Sequence, residues 1–94
     1  SDDEILSAIR WHTTGRANMS LLEKIIYLAD LIEPSREFAG INEIRELAYQ
    51  DIDEAMLAAL KQVMDFVMSR GFTLHPSSVE AYQYIQNIRR NTKA

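Results

Sequence analysis

The chain has 94 residues, of which 47% are hydrophobic and 26% charged, with a net charge of -4 and no cysteine. A chain of this length buries roughly 60 to 65% of its unfolded surface, enough for one core and too little for a two-domain enzyme; without Cys, a disulfide framework, a thiolate zinc site and a cysteine nucleophile are excluded. The acidic surplus argues against nucleic acid as a partner. Apolar runs such as Ile25 to Ala29 are too short to cross a membrane, and Ser1-Asp2-Asp3-Glu4 does not read as a signal peptide, so a cytoplasmic domain is predicted.

Three Gly and two Pro are the only strong breakers, and apolar residues recur at three- and four-residue steps, which predicts an all-α domain. A first helix is expected from Asp2 to Trp11, with acidic residues where the helix dipole favours them. It gives way to the polar loop His12-Thr13-Thr14-Gly15-Arg16-Ala17-Asn18. Ser20 and Glu23 have capping-box spacing and open a second helix, which Pro34 stops. A third helix is expected from Asn42 to Tyr49, with Ile44, Leu47 and Ala48 inward. A fourth, from Ile52 to Arg70, places Met56, Leu60, Val63, Met64 and Val67 on one side and ends at Gly71 as a left-handed cap. Ser77 and Glu80 form a second capping box and begin a helix to Ile88, after which the basic tail from Arg89 to Lys93 is expected to fray. Met19, Met56, Met64 and Met68, with Trp11, Phe66 and Phe72, are expected mostly in the core.

Four places could carry chemistry. On a helical wheel, Leu21, Leu22, Ile25, Ile26, Leu28, Ala29 and Ile32 fill one arc, and Asp30 falls at its edge, with Glu23 and Tyr27 along the same polar seam. A carboxylate there is either bonded to a hydroxyl or an arginine, or serves as a metal ligand or catalytic group in a cleft. His12 starts a loop of hydroxyls and backbone N–H groups that could meet an oxyanion; it could equally be a surface residue or a helix cap. Arg36, bracketed by Pro34 and Gly40, could offer its planar fork to a phosphate or pair with Glu33 or Glu37. Thr73-Leu74-His75-Pro76-Ser77-Ser78 leads into a helix N-terminus, a natural anion site that ordinary capping would also explain.

Taken together, His12-Thr13-Thr14-Gly15, the run Met19-Ser20-Leu21-Leu22-Glu23-Lys24-Ile25-Ile26-Tyr27-Leu28-Ala29-Asp30-Leu31-Ile32-Glu33-Pro34-Ser35-Arg36, and Leu74-His75-Pro76 resemble the C-terminal half of the YqeK-like HD-domain phosphohydrolases. These bacterial enzymes cleave diadenosine tetraphosphate symmetrically into two ADP. The resemblance covers nearly the whole chain and implies an HD-domain-like bundle of about five helices without the N-terminal metal-binding helices, residues 1–94 being the C-terminal part of a single domain. It implies a divalent metal, iron in this branch, with Asp30 as the final aspartate ligand and as a catalytic residue together with His12. It places His12, Thr13 and Arg36 against the nucleotide and phosphates, and has Thr73, Leu74, His75, Pro76, Ser77 and Ser78 close over ADP.

The family's first metal histidine and its His-Asp pair should lie upstream of His12, yet the chain's histidines are His12 and His75 and no His-Asp dipeptide occurs. One carboxylate is a poor site for a divalent ion. The expectation is therefore a parent enzyme that hydrolyses a dinucleoside polyphosphate through metal-activated water, and a chain that alone is inactive. Dinucleoside polyphosphate or ADP is the expected ligand, and a homodimer or pairing with the N-terminal half the expected assembly. The alternative is a non-catalytic α-helical interaction module.

Overall fold

The apolar periodicity resolves into five helices in a computed structural model that describes residues 2–93: α1 (Asp2–Trp11), α2 (Leu21–Leu31), α3 (Ile41–Gln50), α4 (Ile52–Ser69) and α5 (Pro76–Lys93). The core is built around α4. Met56 and Leu60 are fully buried, and Ala55, Ala59 and, from α5, Ala81 are small enough to bring backbones close. Met19, Tyr27, Leu28, Ile44 and Ile85 complete the cluster. Each large side chain taken from water contributes about 1.5 to 3 kcal/mol before entropy is counted, so the α4 seam is the main source of stability. α1 packs on α2 and buries only Ala8 fully; Ile5, Leu6 and Ile9 remain exposed.

Local chemistry sets the helix ends. The Ser20 hydroxyl accepts from the Glu23 N–H at 3.1 Å, and the Glu23 carboxylate accepts from the Ser20 N–H at 3.3 Å, completing the capping box. α2 stops at Leu31, short of Pro34. Asp51 caps α4 by accepting from the N–H groups of Asp53 and Glu54. At the other end of α4, Phe72 N–H donates to Val67 O and Gly71 N–H to Met68 O, a Schellman closure that needs the positive φ of Gly71.

Several expectations are corrected. The buried line of α2 is Glu23, Tyr27 and Leu28, while Leu21, Ile25 and Ala29 face outward. The helix can turn Glu23 inward because Arg16 meets the carboxylate with two hydrogen bonds, at 2.7 and 2.6 Å. Phe66 and Met68 near the end of α4 and Phe72 just after it are exposed, beyond the buried stretch from Ala55 to Leu60; Trp11 is half-buried. The second capping box does not form. α5 begins one residue earlier with Pro76, whose missing N–H suits that position, and the His75 ring caps Ser77 instead. The tail continues α5 to Lys93, because Arg89 binds Asp51 at 2.6 Å and Glu54 at 3.0 Å and ties the helix to the start of α4.

Candidate functional site

The loop between α1 and α2 is set by a glycine. Gly15 is buried at φ +73°, and its N–H closes on Trp11 O at 2.8 Å. A Cβ there would stand 3.3 Å from Ala81 Cβ and 3.4 Å from Met19 Sδ, so only glycine lets the loop lie this close to α5. Ser78 Oγ donates to Thr14 O at 2.7 Å, and Tyr84 Oη donates to Asn18 Oδ1 at 3.0 Å, pinning the loop to α5 at two points.

Held this way, the loop brings His12 and Thr13 to one side of a cleft of about 230 Å³; Tyr27, Asp30 and Leu31 of α2, Arg36 and Val63 complete it. His12 Nδ1 donates to Ile9 O, capping α1 and leaving Nε2 as the nitrogen available to a ligand. Asp30 is half exposed, and its Oδ2 lies 3.9 Å from Arg36 Nη2. Arg36 Nε also lies 3.8 Å from Glu33 Oε1. Long exposed pairs of this kind contribute little, so an anion with bidentate geometry could draw the Arg36 fork away from both.

Two features, one in the cleft and one outside it, were not legible as site chemistry. Tyr27 is 2% exposed, and its hydroxyl is buried without a hydrogen-bond partner, the one such side-chain atom among the described residues. Burial pushes its pKa up to about 12. The other is Arg45 on α3, which donates to the carbonyl oxygens of Ile32, Glu33 and Arg36 at 3.0, 3.0 and 3.1 Å. That fork fixes the backbone that presents Arg36. The adjoining turn is tightened by Glu33, whose carboxyl Ser35 holds below the usual carboxylate range through its hydroxyl and N–H.

The structure thus brings His12, Thr13, Asp30 and Arg36 together, and none of Thr73, Leu74, His75, Pro76, Ser77 or Ser78 lines the same cleft. At the start of α5 the Ser77 N–H is bonded to His75 Nδ1 at 3.1 Å and the Ser78 N–H to His75 O at 3.0 Å. The donors that would receive an anion there are already engaged, and the Ser78 hydroxyl is spent on the loop. Metal chemistry meets a similar limit. Among the described residues no group of three His, Asp or Glu side chains could hold a metal ion, and the charged group facing Asp30 is a guanidinium. The residues present do not by themselves fit the divalent ion that the resemblance implies.

No family model matches the chain. It is 44% identical over 84 residues to a symmetrical bis(5'-nucleosyl)-tetraphosphatase of Bacillus subtilis (strain 168), covering 89% of this chain and 45% of that protein. A protein of the same description from Staphylococcus aureus (strain NCTC 8325 / PS 47) is 35% identical over 86 residues, covering 89% and 44%. A Clostridium acetobutylicum crystal structure, described as a predicted HD superfamily hydrolase involved in NAD metabolism, superposes with a TM-score of 0.88 at 48% identity, over 93% of this chain and 46% of that one. The chain is homologous to about half of a YqeK-like HD hydrolase of the symmetrical tetraphosphatase group. Its five helices match part of that HD-superfamily hydrolase structure, and the chain spans about half the length of the curated relatives it matches. None of the described helices is long and apolar enough to cross a membrane.

Proposed function

We propose that this chain supplies one wall of the polyphosphate cleft of a symmetrical diadenosine tetraphosphate hydrolase, and that the remaining groups of the reaction come from residues outside it. The observation that carries this reading is the convergence of His12, Thr13, Asp30 and Arg36 on one cleft in a chain homologous to half of such hydrolases. Arg36 turns its two parallel N–H donors from Asp30 and Glu33 to phosphate oxygens. His12 meets the anion through Nε2, and the Thr13 hydroxyl offers a further donor. Asp30, released from Arg36, is left as a carboxylate facing the phosphates, the place where an added cation with further ligands would sit. A divalent metal, iron by resemblance, needs those further ligands, and no step is assigned to it on the residues of this chain.

The test has two parts. Incubated with diadenosine tetraphosphate and iron or manganese, the chain alone should release no ADP above the buffer rate. ADP should nonetheless bind, and Arg36→Ala should weaken that binding roughly tenfold to a hundredfold, as loss of a charge-assisted hydrogen bond does. ADP binding indifferent to Arg36→Ala would remove the basis of the assignment.

A second reading, an interaction module, draws on the exposed Ile5, Leu6 and Ile9 of α1 and Leu21 and Ile25 of α2. Exposed apolar side chains in such number suit a protein surface that packs over α1 and α2. On the enzyme reading this covering is the rest of the catalytic domain. A stable dimer in sedimentation that binds no ADP would favour the module instead.

A further inference from the structure

Among the described residues the buried side chains with polar atoms are Glu23, Tyr27 and Ser78. Two of them are matched within the fold. The Glu23 carboxylate accepts from Arg16 twice and from the Ser20 N–H, and the Ser78 hydroxyl donates to Thr14 O at 2.7 Å. The Tyr27 hydroxyl has no partner. Of the three, Tyr27 is also the one that borders the polar cleft, where Thr13, Asp30 and Arg36 share the wall with it. A buried O–H with nothing to donate to is costly, so phenylalanine would suit the empty fold better. The unmatched polar group therefore lies where a ligand would enter.

We propose that Tyr27 is a binding residue of the cleft, its hydroxyl donating to an oxygen of the bound polyphosphate. This rests on the polyphosphate reading of that cleft. The Arg36 guanidinium offers donors alone, and the ionised oxygens of a polyphosphate only accept, so a further donor on the same wall is the complementary group. Burial pushes the Tyr27 phenol up to about 12, which keeps its proton in place, and the group a donor, across the neutral range. Shielded from bulk water, a hydrogen bond from this hydroxyl to a charged oxygen is stronger than the same bond at an open surface. The ring is 2% exposed and already fixed by its packing, so little side-chain freedom is lost when the bond forms. The consequence has a definite sign: the hydroxyl weakens the empty fold and strengthens the filled one.

Inorganic pyrophosphate is the probe, because it carries the anion without other polar groups that could meet the hydroxyl. It is titrated calorimetrically into wild type, Tyr27→Phe and Arg36→Ala, and thermal unfolding is followed on the unliganded samples. Tyr27→Phe should unfold at a higher temperature than wild type when empty, yet bind pyrophosphate roughly ten- to a hundredfold more weakly, as loss of a hydrogen bond to a charged group does. A merely structural tyrosine would move both quantities the same way. Unchanged affinity in Tyr27→Phe, with binding still weakened in Arg36→Ala, would overturn the Tyr27 assignment and leave the polyphosphate reading standing. Lower stability together with weaker binding in Tyr27→Phe would also overturn it, since the hydroxyl would then hold the empty fold; loss of the helical circular dichroism spectrum would carry the same meaning. Failure of wild type to bind pyrophosphate, or binding indifferent to Arg36→Ala, would overturn both readings.

Discussion

Arg45 holds the backbone of Arg36 from a neighbouring helix: its Nη2 donates to the Arg36 carbonyl oxygen across 3.1 Å, and the same guanidinium reaches the carbonyls of Ile32 and Glu33. One planar fork thus satisfies three acceptors after the end of α2, in a turn that carries the candidate phosphate-binding arginine. Arg45→Ala should lower stability by about 1 to 3 kcal/mol, as loss of hydrogen bonds to a charged group does, and should also weaken ADP binding without touching the cleft. Arg45→Lys should recover little of either, because an ammonium cannot span three carbonyls with fork geometry. Thermal unfolding and ADP titration on the same samples check both effects.

Glu23 gives the fold an acid dependence with a definite sign. The hydrogen bonds from Arg16, more than the opposing effect of burial, hold its carboxyl below the ordinary value of 4.5. Folding therefore favours the ionised form, and the stability it brings is full above that value and fades as pH falls through the lowered folded-state value. Glu23→Gln should be less stable at neutral pH by about 1 to 3 kcal/mol, with the gap to wild type narrowing in acid. Urea unfolding across the acid range measures the gap, and a gap independent of pH would exclude this account.

Tyr27 runs the other way. A buried hydroxyl without a partner is costly, so Tyr27→Phe should stabilise the unliganded chain by about 1 kcal/mol at neutral pH. Burial favours the neutral phenol, so Tyr27 adds no pH dependence below pH 10, and stability is lost progressively as pH rises from 10 toward 12. The variant should lack that share of alkaline destabilisation. Tyrosinate absorbance during a base titration, set beside thermal unfolding, tests the two statements together.

Gly15 should tolerate no side chain. Alanine at φ +73° is strained, and its Cβ would press on Ala81 and Met19. Gly15→Ala should cost about 1 to 3 kcal/mol and displace the His12–Thr13 loop, visible as altered amide resonances on both sides of the cleft.

Much of this was legible in the sequence because it is local chemistry. Ser20 and Glu23 declare the start of α2, and Gly71 the end of α4. What escaped depends on partners distant in the chain. Nothing in the spacing says that Arg16 neutralises Glu23, which decides which face of α2 turns inward and leaves Leu21 and Ile25 outside. Nor does it say that Arg45 reaches back to Ile32, or that Arg89 finds Asp51 and so extends α5. The second capping box failed for a local reason: Pro76 fits the first helical position and His75 supplies the cap, so Ser77 is one residue too late. Phe66 and Phe72 read as core by type, yet only packing reveals which aromatic residues the bundle covers.

The central claim is that His12, Thr13, Asp30 and Arg36 form one anion-binding wall. Amide chemical-shift mapping of the chain during titration with ADP tests it most directly. The account predicts shifts that cluster at residues 12–13 and 30–36 and collapse in Arg36→Ala. Shifts confined to residues 73–78, or none at saturating ADP, would contradict it.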